Sequence, residues 1–217
     1  MQASIAEAAH SAGRQADDLT LIVVTKFHPT SLIRELSELG VRDVGENRHQ
    51  EAQAKAEELS SLDLRWHFVG QLQTKKARQA ARYAHSIHSI DRERLVDALG
   101  TAERVTPIEA FVQVNLTDDP GRGGADPADL ETLAEAVLRA PALTLRGVMA
   151  VAPLPEEEHP ARAFERLKQY SERLQRLDAH ATAISAGMTH DFREAVAAGA
   201  THLRIGSAIT GNRPYPA

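Results

Sequence analysis

Leu21-Ile22-Val23-Val24-Thr25-Lys26-Phe27-His28-Pro29 decides how the chain is read. Its first residues are apolar, mostly β-branched and unbroken by a polar group, the pattern of a strand buried on both faces in a parallel sheet. Lys26 stands at the strand end, and His28-Pro29 stop the strand and force a turn. An ammonium at the mouth of an apolar strand costs free energy unless it is paired, exposed or chemically used. Partial desolvation lowers a lysine pKa and makes the amine nucleophilic, as a Schiff-base lysine requires. The plain alternative is a lysine that reaches out of the strand end into water. From this stretch alone that alternative is the better one; residues further along reverse the balance.

Outward from this strand, short apolar runs recur at 41–44, 64–69, 85–90, 108–114, 143–149, 182–185 and 202–205. Helical stretches alternate with them. One is expected at 2–13, one from Thr30 to a stop at Gly40, one to Leu59, and one over 74–83. Asp91 is read as the cap of a helix ending near Gly100, and Pro127 as the first turn of one reaching Arg139. A long helix follows the loop at 152–160 and ends near His180; others cover 191–198 and the turn after Gly206. Strand–helix alternation of this kind implies parallel strands with helices outside. Eight such units in 217 residues predict a closed (β/α)8 TIM barrel rather than an open doubly wound sheet. The strands at 41–44, 85–90 and 182–185 are short, and the count rests on them. No linker interrupts the chain, so residues 1–217 are expected to form a single domain.

Composition narrows the function classes. The formal net charge is −5 and no long basic run occurs, which argues against nucleic acid as a main partner. No apolar stretch approaches membrane-spanning length. The absence of cysteine rules out disulfides and thiolate chemistry and suits a reducing, cytoplasmic setting. The Ala-rich start, Met1 to Arg14 with acidic Glu7, reads as neither a signal nor a transit peptide.

In a barrel the chemistry lies where strands end and loops begin. Those positions are Lys26, Glu46, Asn47, Gly70, Asn115, Ala150, Ser185 to Thr189, and Arg204 to Ser207. The set holds an amine, hydroxyls, small residues and an arginine, without a Gly-x-Ser-x-Gly elbow or a carboxylate pair. His85 and His88 fall on opposite faces of one strand, and His49 and His67 lie near candidate loops without a carboxylate at ligand spacing. No metal site is expected, and the ten histidines read as scattered surface or core residues. Arg204-Ile205-Gly206-Ser207-Ala208 carries more information. A strand ends, a glycine allows close approach, and a hydroxyl opens a helix whose first amides can take an anion. Alone this is an ordinary turn with a serine N-cap. With Lys26 across the mouth, a phosphorylated aldehyde becomes the better ligand. The loop Gly121 to Gly124 lacks P-loop spacing and reads as a surface loop.

At these residues the chain resembles the pyridoxal phosphate homeostasis proteins, a family of single-domain barrels that bind pyridoxal 5'-phosphate (PLP). The matching pieces are Val24-Thr25-Lys26, Gly45-Glu46-Asn47-Arg48 with Gln50-Glu51, and Trp66-His67-Phe68-Val69-Gly70-Gln71-Leu72-Gln73. They continue through Gln113-Val114-Asn115, Leu145-Arg146-Gly147-Val148-Met149, Ser185-Ala186-Gly187-Met188-Thr189 with Asp191, and Arg204 to Gly211. They occur in order over nearly the whole chain.

The resemblance implies a barrel like that of alanine racemase without its second, β-rich domain. It implies that Lys26 carries PLP as a Schiff base, that Arg204 faces the pyridine nitrogen and that Asn47 lies beside the ring. Gly206 and Ser207, with Ser185 and Thr189, would hold the phosphate, and Met188 would be a further cofactor-binding residue. It also implies a monomeric protein of PLP and amino-acid balance, with PLP-dependent apo-enzymes as recipients. Thr189 stands where the family has serine and Ser207 where it has threonine, so both hydroxyls persist. His49 replaces an apolar residue and Lys75 an asparagine, which alters loop contacts. The segment before Leu21 is shorter than in many relatives, which would expose one barrel end.

Other functions compete with this one. A PLP-dependent amino-acid racemase needs acid-base groups on both faces of the cofactor. Lys26 could serve one face, but Tyr83 and Tyr170 fall on expected outer helices and Tyr215 in the tail. A class I aldolase-like barrel would use Lys26 directly on a sugar phosphate.

Overall fold

The computed structural model describes residues 1–211. Eight strands form a closed, all-parallel barrel in chain order. They are β1 (Thr20–Val24), β2 (Asp43–Glu46), β3 (Arg65–Phe68), β4 (Ala84–Ile90), β5 (Ile108–Gln113), β6 (Leu143–Met149), β7 (Ala183–Ser185) and β8 (His202–Ile205). The barrel closes where Thr20 to Val23 of β1 pair with His202 to Ile205 of β8. Around it lie α1 (Gln2–Ser11), α2 (Thr30–Glu38), α3 (His49–Glu58), α4 (Ala77–Ala80), α5 (Glu93–Gly100), α6 (Leu130–Arg139), α7 (Pro160–Gln175), α8 (Phe192–Ala197) and α9 (Ser207–Thr210). The (β/α)8 expectation therefore holds. The strand expected to be short at 85–90 is β4, seven residues long.

Helix ends depart from the sequence reading for local reasons. The stretch 74–83 divides into a 3-10 turn, Thr74–Lys76, and the single turn of α4. Arg104 caps that end by donating to the Ala81 carbonyl. Asp91 does not cap α5: Arg92 is the N-cap, and the Asp91 carboxylate instead accepts from its guanidinium. α7 stops at Gln175 rather than near His180, because Asp178 turns the chain, its carboxylate accepting from the His180 amide at 2.9 Å. α1 packs on α8 with Ile5, Ala8 and Ala9 buried, and Arg14 donates to the Val196 and Ala200 carbonyls. Gly147 carries φ 149°, and a Cβ there would lie 1.8 Å from the Ala183 carbonyl oxygen, so only glycine lets β7 close on β6.

Apolar packing between strands and helices forms the outer core, with Phe68, Ile87, Leu95, Leu99, Leu130 and Leu167 fully buried. The barrel interior is different. Barrel centres are ordinarily filled by branched aliphatic side chains. Here His88 stacks on Phe111 with ring centroids 4.4 Å apart, and His202 meets the Phe111 edge at 5.1 Å. His67 lies 5.2 Å from His88. It belongs to β3, within the strand expected at 64–69, and its ring is buried. These histidines are therefore gathered rather than scattered. His85 does not keep the opposite-face placement that strand parity predicts: the register of β4 against β3 shifts, its ring also meets His67 at 5.7 Å, and it is half-exposed beside Glu109.

Candidate functional site

The site is built on the end of β1. Thr25 to His28 form a turn closed by the His28 amide donating to the Thr25 carbonyl at 3.1 Å, and Lys26 sits inside that turn. Phe27 has φ +68°, a left-handed conformation that disfavours a bulky side chain by about 1–3 kcal/mol. The surroundings hold it there. The Phe27 amide donates to Glu51 Oε1 at 2.6 Å, and the Arg48 guanidinium lies over the Phe27 ring at 4.8 Å. Lys55, on α3, donates to the Thr25 carbonyl, to Glu46 and to Glu51 at 2.9, 2.7 and 2.6 Å. Thr25 Oγ1 donates to Glu46 Oε1 at 2.7 Å. Burial raises the Glu46 carboxyl above its ordinary range, with Lys55 and Thr25 opposing. A buried acid–base cluster thus fixes the turn that presents Lys26.

That turn opens onto a cavity of about 410 Å³ at the C-terminal ends of the strands, within the size range of small-molecule sites. Lys26, Asn47, Met188, Thr189, Arg204, Gly206 and Ser207 all line it. Ser185 does not. It is fully buried at the end of β7, where its Oγ accepts from Arg204 Nη1 at 2.7 Å and pairs with His88 Nδ1 at 2.8 Å. The structure so places Ser185 against Arg204, outside the residues that line the cavity. Sequence reading did not single out His28, Val151 and His190, which also line the cavity. His28 is buried, and its imidazole is held below its ordinary value by burial and by Lys55, against Glu51. Of the described tyrosines, Tyr83 pairs with His49 at 3.4 Å and Tyr170 stacks under Arg173, both away from the cavity; Tyr215 lies outside the described residues.

Two details shape the walls. Gly70 approaches Asn47 so closely that a Cβ would lie 2.2 Å from the Asn47 carbonyl oxygen, so a glycine is required where β3 ends. Asn47 Oδ1 is buried without a hydrogen-bond partner, an uncommon state for an amide oxygen at a cavity. Arg204 is buried, and among the described residues no carboxylate forms an ion pair with it. It donates to Ser185 and, at 2.9 Å, to the Ala150 carbonyl. Burial lowers its pKa to about 10, with Asp191 opposing, which leaves it charged at neutral pH. Ser207, Thr189 and Thr210 bring hydroxyls to the wall, and the first amides of the α9 turn have no partner within it. Among the described residues no three His, Asp or Glu side chains converge as a metal site. The loop at 121–124 packs on Gln71 and does not reach this cavity.

An amine, a buried guanidinium and a hydroxyl-lined end around one cavity of a (β/α)8 barrel define the alanine racemase type of barrel. The family model for the alanine racemase N-terminal domain matches residues 4–214. A pyridoxal phosphate homeostasis protein of Pseudomonas aeruginosa is 40% identical over 219 residues, covering 99% of this chain and 94% of that protein. The solved structure of PipY of Synechococcus elongatus, described with PLP bound, superposes with a TM-score of 0.82 at 37% identity, covering 95% of this chain and 100% of that one. Alanine racemase from Corynebacterium glutamicum shares the fold alone, at 16% identity and a TM-score of 0.72 over 99% of this chain and 61% of its own. The chain belongs to the pyridoxal phosphate homeostasis protein family.

Proposed function

We propose that the cavity at the barrel mouth binds PLP, and that the protein serves PLP and amino-acid homeostasis as a carrier without efficient turnover. The observation that carries the reading is the convergence of Lys26, Arg204 and the hydroxyls of Thr189 and Ser207 on one cavity. The donor set fits the group. An aldehyde needs an amine, a pyridine nitrogen needs a donor, and a phosphate needs hydroxyls and amides. The unpartnered Asn47 Oδ1 offers an acceptor for a ring substituent. When bound, PLP supplies an aldehyde that an amine can hold covalently and a ring that can draw electrons from an attached amino acid.

Lys26 would hold the cofactor covalently, fixed by the turn that Glu46, Glu51 and Lys55 brace. Arg204 would donate to the ring nitrogen, Asn47 would border the ring, and Met188 would cover its rim. Gly206, Ser207 and Thr189 would receive the phosphate. Ser185 would act on Arg204 and not on the phosphate. The reading extends to one monomeric, cytoplasmic barrel domain that hands PLP to apo-enzymes. No helix of the described residues is long and apolar enough to cross a membrane.

The test is an absorbance spectrum of the purified protein with PLP, before and after borohydride, followed by peptide mapping. A reducible chromophore fixed on Lys26, lost in Lys26→Ala while the fold survives, is the expected result. A chromophore fixed on another lysine would overturn the site, and none at all would favour the aldolase-like reading.

A further inference from the structure

Beneath the cavity a continuous line of hydrogen bonds crosses the barrel interior. Arg204 Nη1 donates to Ser185 Oγ at 2.7 Å. Ser185 Oγ meets His88 Nδ1 at 2.8 Å, His88 Nε2 meets His67 Nδ1 at 3.0 Å, and His67 Nε2 meets Asp43 Oδ1 at 2.8 Å. Arg65 donates to the other Asp43 oxygen at 2.5 Å. Ser185 and His88 are fully buried, and His67 nearly so.

With both imidazoles neutral, the ends of this line fix every proton in it. A guanidinium can only donate, and an ionised carboxylate can only accept. Hydrogen bonds from His67 and Arg65 keep the Asp43 carboxyl below its ordinary range even though burial pushes the other way. His67 must therefore donate through Nε2, and a neutral ring then accepts at Nδ1. His88 donates through Nε2 to that nitrogen and accepts at its own Nδ1. Ser185 gives its proton to His88, so its oxygen is left as an acceptor for Arg204. No link carries two protons or none. The groups facing His88 favour its neutral form: burial first, then His67 on β3, His202 and Arg204 on β8, and His85 on its own strand. Phe111 on β5 covers its ring.

We propose that His88 is a positioning residue for the ring-nitrogen end of the ligand site, acting through Ser185 on Arg204 as one link of a directional chain anchored at Asp43. This rests on the reading that the cavity takes PLP with Arg204 at the ring nitrogen. Ser185 and the Ala150 carbonyl hold two of the guanidinium's N–H groups and so set its plane. With His88 as acceptor, the Ser185 hydroxyl cannot turn its proton towards Arg204. A second proton on His67 would leave its bond to Asp43 as it is but make Nδ1 a donor, so that His88 would accept at Nε2, carry its proton on Nδ1 and leave the Ser185 proton without its acceptor. The polarity of the chain at Asp43 is thus read at Arg204.

The test has two arms. In the cofactor-free protein, nitrogen NMR at neutral pH should show both His67 and His88 protonated at Nε2; a His88 protonated at Nδ1 would overturn the chain. In the second arm, PLP binding is compared with binding of its 1-deaza analogue, which keeps the aldehyde and phosphate and lacks the ring nitrogen. His88→Leu should weaken PLP by about tenfold to a hundredfold and leave the analogue nearly unchanged. His88→Asn, whose side-chain oxygen can stand where Nδ1 stood, should restore most of the PLP affinity. Equal losses for both ligands, or no loss for either, would overturn the positioning role. If His88→Leu does not fold, Ser185→Ala removes the same link and takes its place. A wild-type protein that binds neither aldehyde overturns the cofactor reading and the positioning role with it, while the nitrogen shifts still decide the chain of bonds.

Discussion

Lys55 and Glu46 meet at 2.7 Å, both almost completely buried, against the turn that carries Lys26. Removing one partner of such a pair leaves an uncompensated charge and costs about 3–5 kcal/mol. Lys55→Met should lower unfolding free energy by that amount, and the loss should depend on pH. Glu46 already has a folded pKa above its ordinary 4.5. Stability tied to a raised carboxyl pKa is present below the unfolded value and lost as pH rises through the folded one. Without Lys55 the folded value rises further, so the variant should be more defective at pH 7 than at pH 5. Urea unfolding at both pH values checks this; the same loss at each would mean that Glu46 does not carry the effect.

The histidine-filled interior should make the protein acid-sensitive. Burial lowers the His202 pKa from 6.5 to about 3, aided by His67 and Arg146, and drives His88 well down too. A depressed pKa contributes stability that is present above the unfolded value and lost as pH falls towards the folded one. Unfolding free energy should therefore fall between about pH 6.5 and 3, by about 1.4 kcal/mol per pH unit for each group. His202→Phe should flatten that slope by one such increment. An unchanged slope in the variant would remove His202 from the account.

The barrel was legible because β1 holds the unbroken apolar run Leu21 to Val24, because apolar stretches recur at strand spacing after it, and because glycines such as Gly40 and Gly199 stop intervening helices. The cavity wall was legible because strand-end positions in a barrel converge whatever their order in the chain. The partners of Ser185 were not legible because an inward hydroxyl near a strand end can lie at the mouth or one layer deeper, and only the closed barrel shows that it meets Arg204 and His88. The interior chain was missed because each histidine looks ordinary alone. Strand parity puts His85 and His88 on opposite faces, whereas the register shift between β3 and β4 brings both rings to His67, and only closure brings His67, His88 and Asp43 into line. Lys55 was partly visible as the i+4 partner of Glu51, whereas its contact with Glu46 needed the fold.

Gly70→Ala tests the wall at Asn47. The added methyl would overlap the Asn47 backbone, which must then shift. Overpacking of this kind costs about 1–3 kcal/mol of stability. PLP affinity should fall as well, because Asn47 moves with its backbone. Loss of stability with unchanged PLP affinity would separate Asn47 from the ligand.

Ser207→Asp tests the phosphate end. A carboxylate beside the first amides of the α9 turn would compete for them and repel a phosphate. PLP binding should weaken much more than binding of pyridoxal, which lacks the phosphate. Equal weakening of both would point to general damage in the cavity.

Arg204 bears on why the protein should be a poor catalyst. PLP enzymes that draw most strongly on the ring place a carboxylate at its nitrogen, which keeps that nitrogen protonated. Arg204 remains charged at neutral pH, with a pKa near 10, and can only donate, so it would hold the nitrogen unprotonated. Racemisation also needs an acid-base group on each face, and no described tyrosine lines the cavity. His28 and His190 are the imidazoles on its wall, and His28 is held below its ordinary pKa. Added amino acids should therefore exchange their α-hydrogen with deuterated solvent far more slowly than the roughly 1–1000 per second usual for enzymes. Arg204→Glu should raise proton occupancy at the ring nitrogen and speed that exchange wherever the variant still binds PLP. Proton NMR of the amino acid follows both. Wild-type exchange at enzyme-like rates would restore the racemase reading, and His28→Asn and His190→Asn would then show which imidazole supplies the second face.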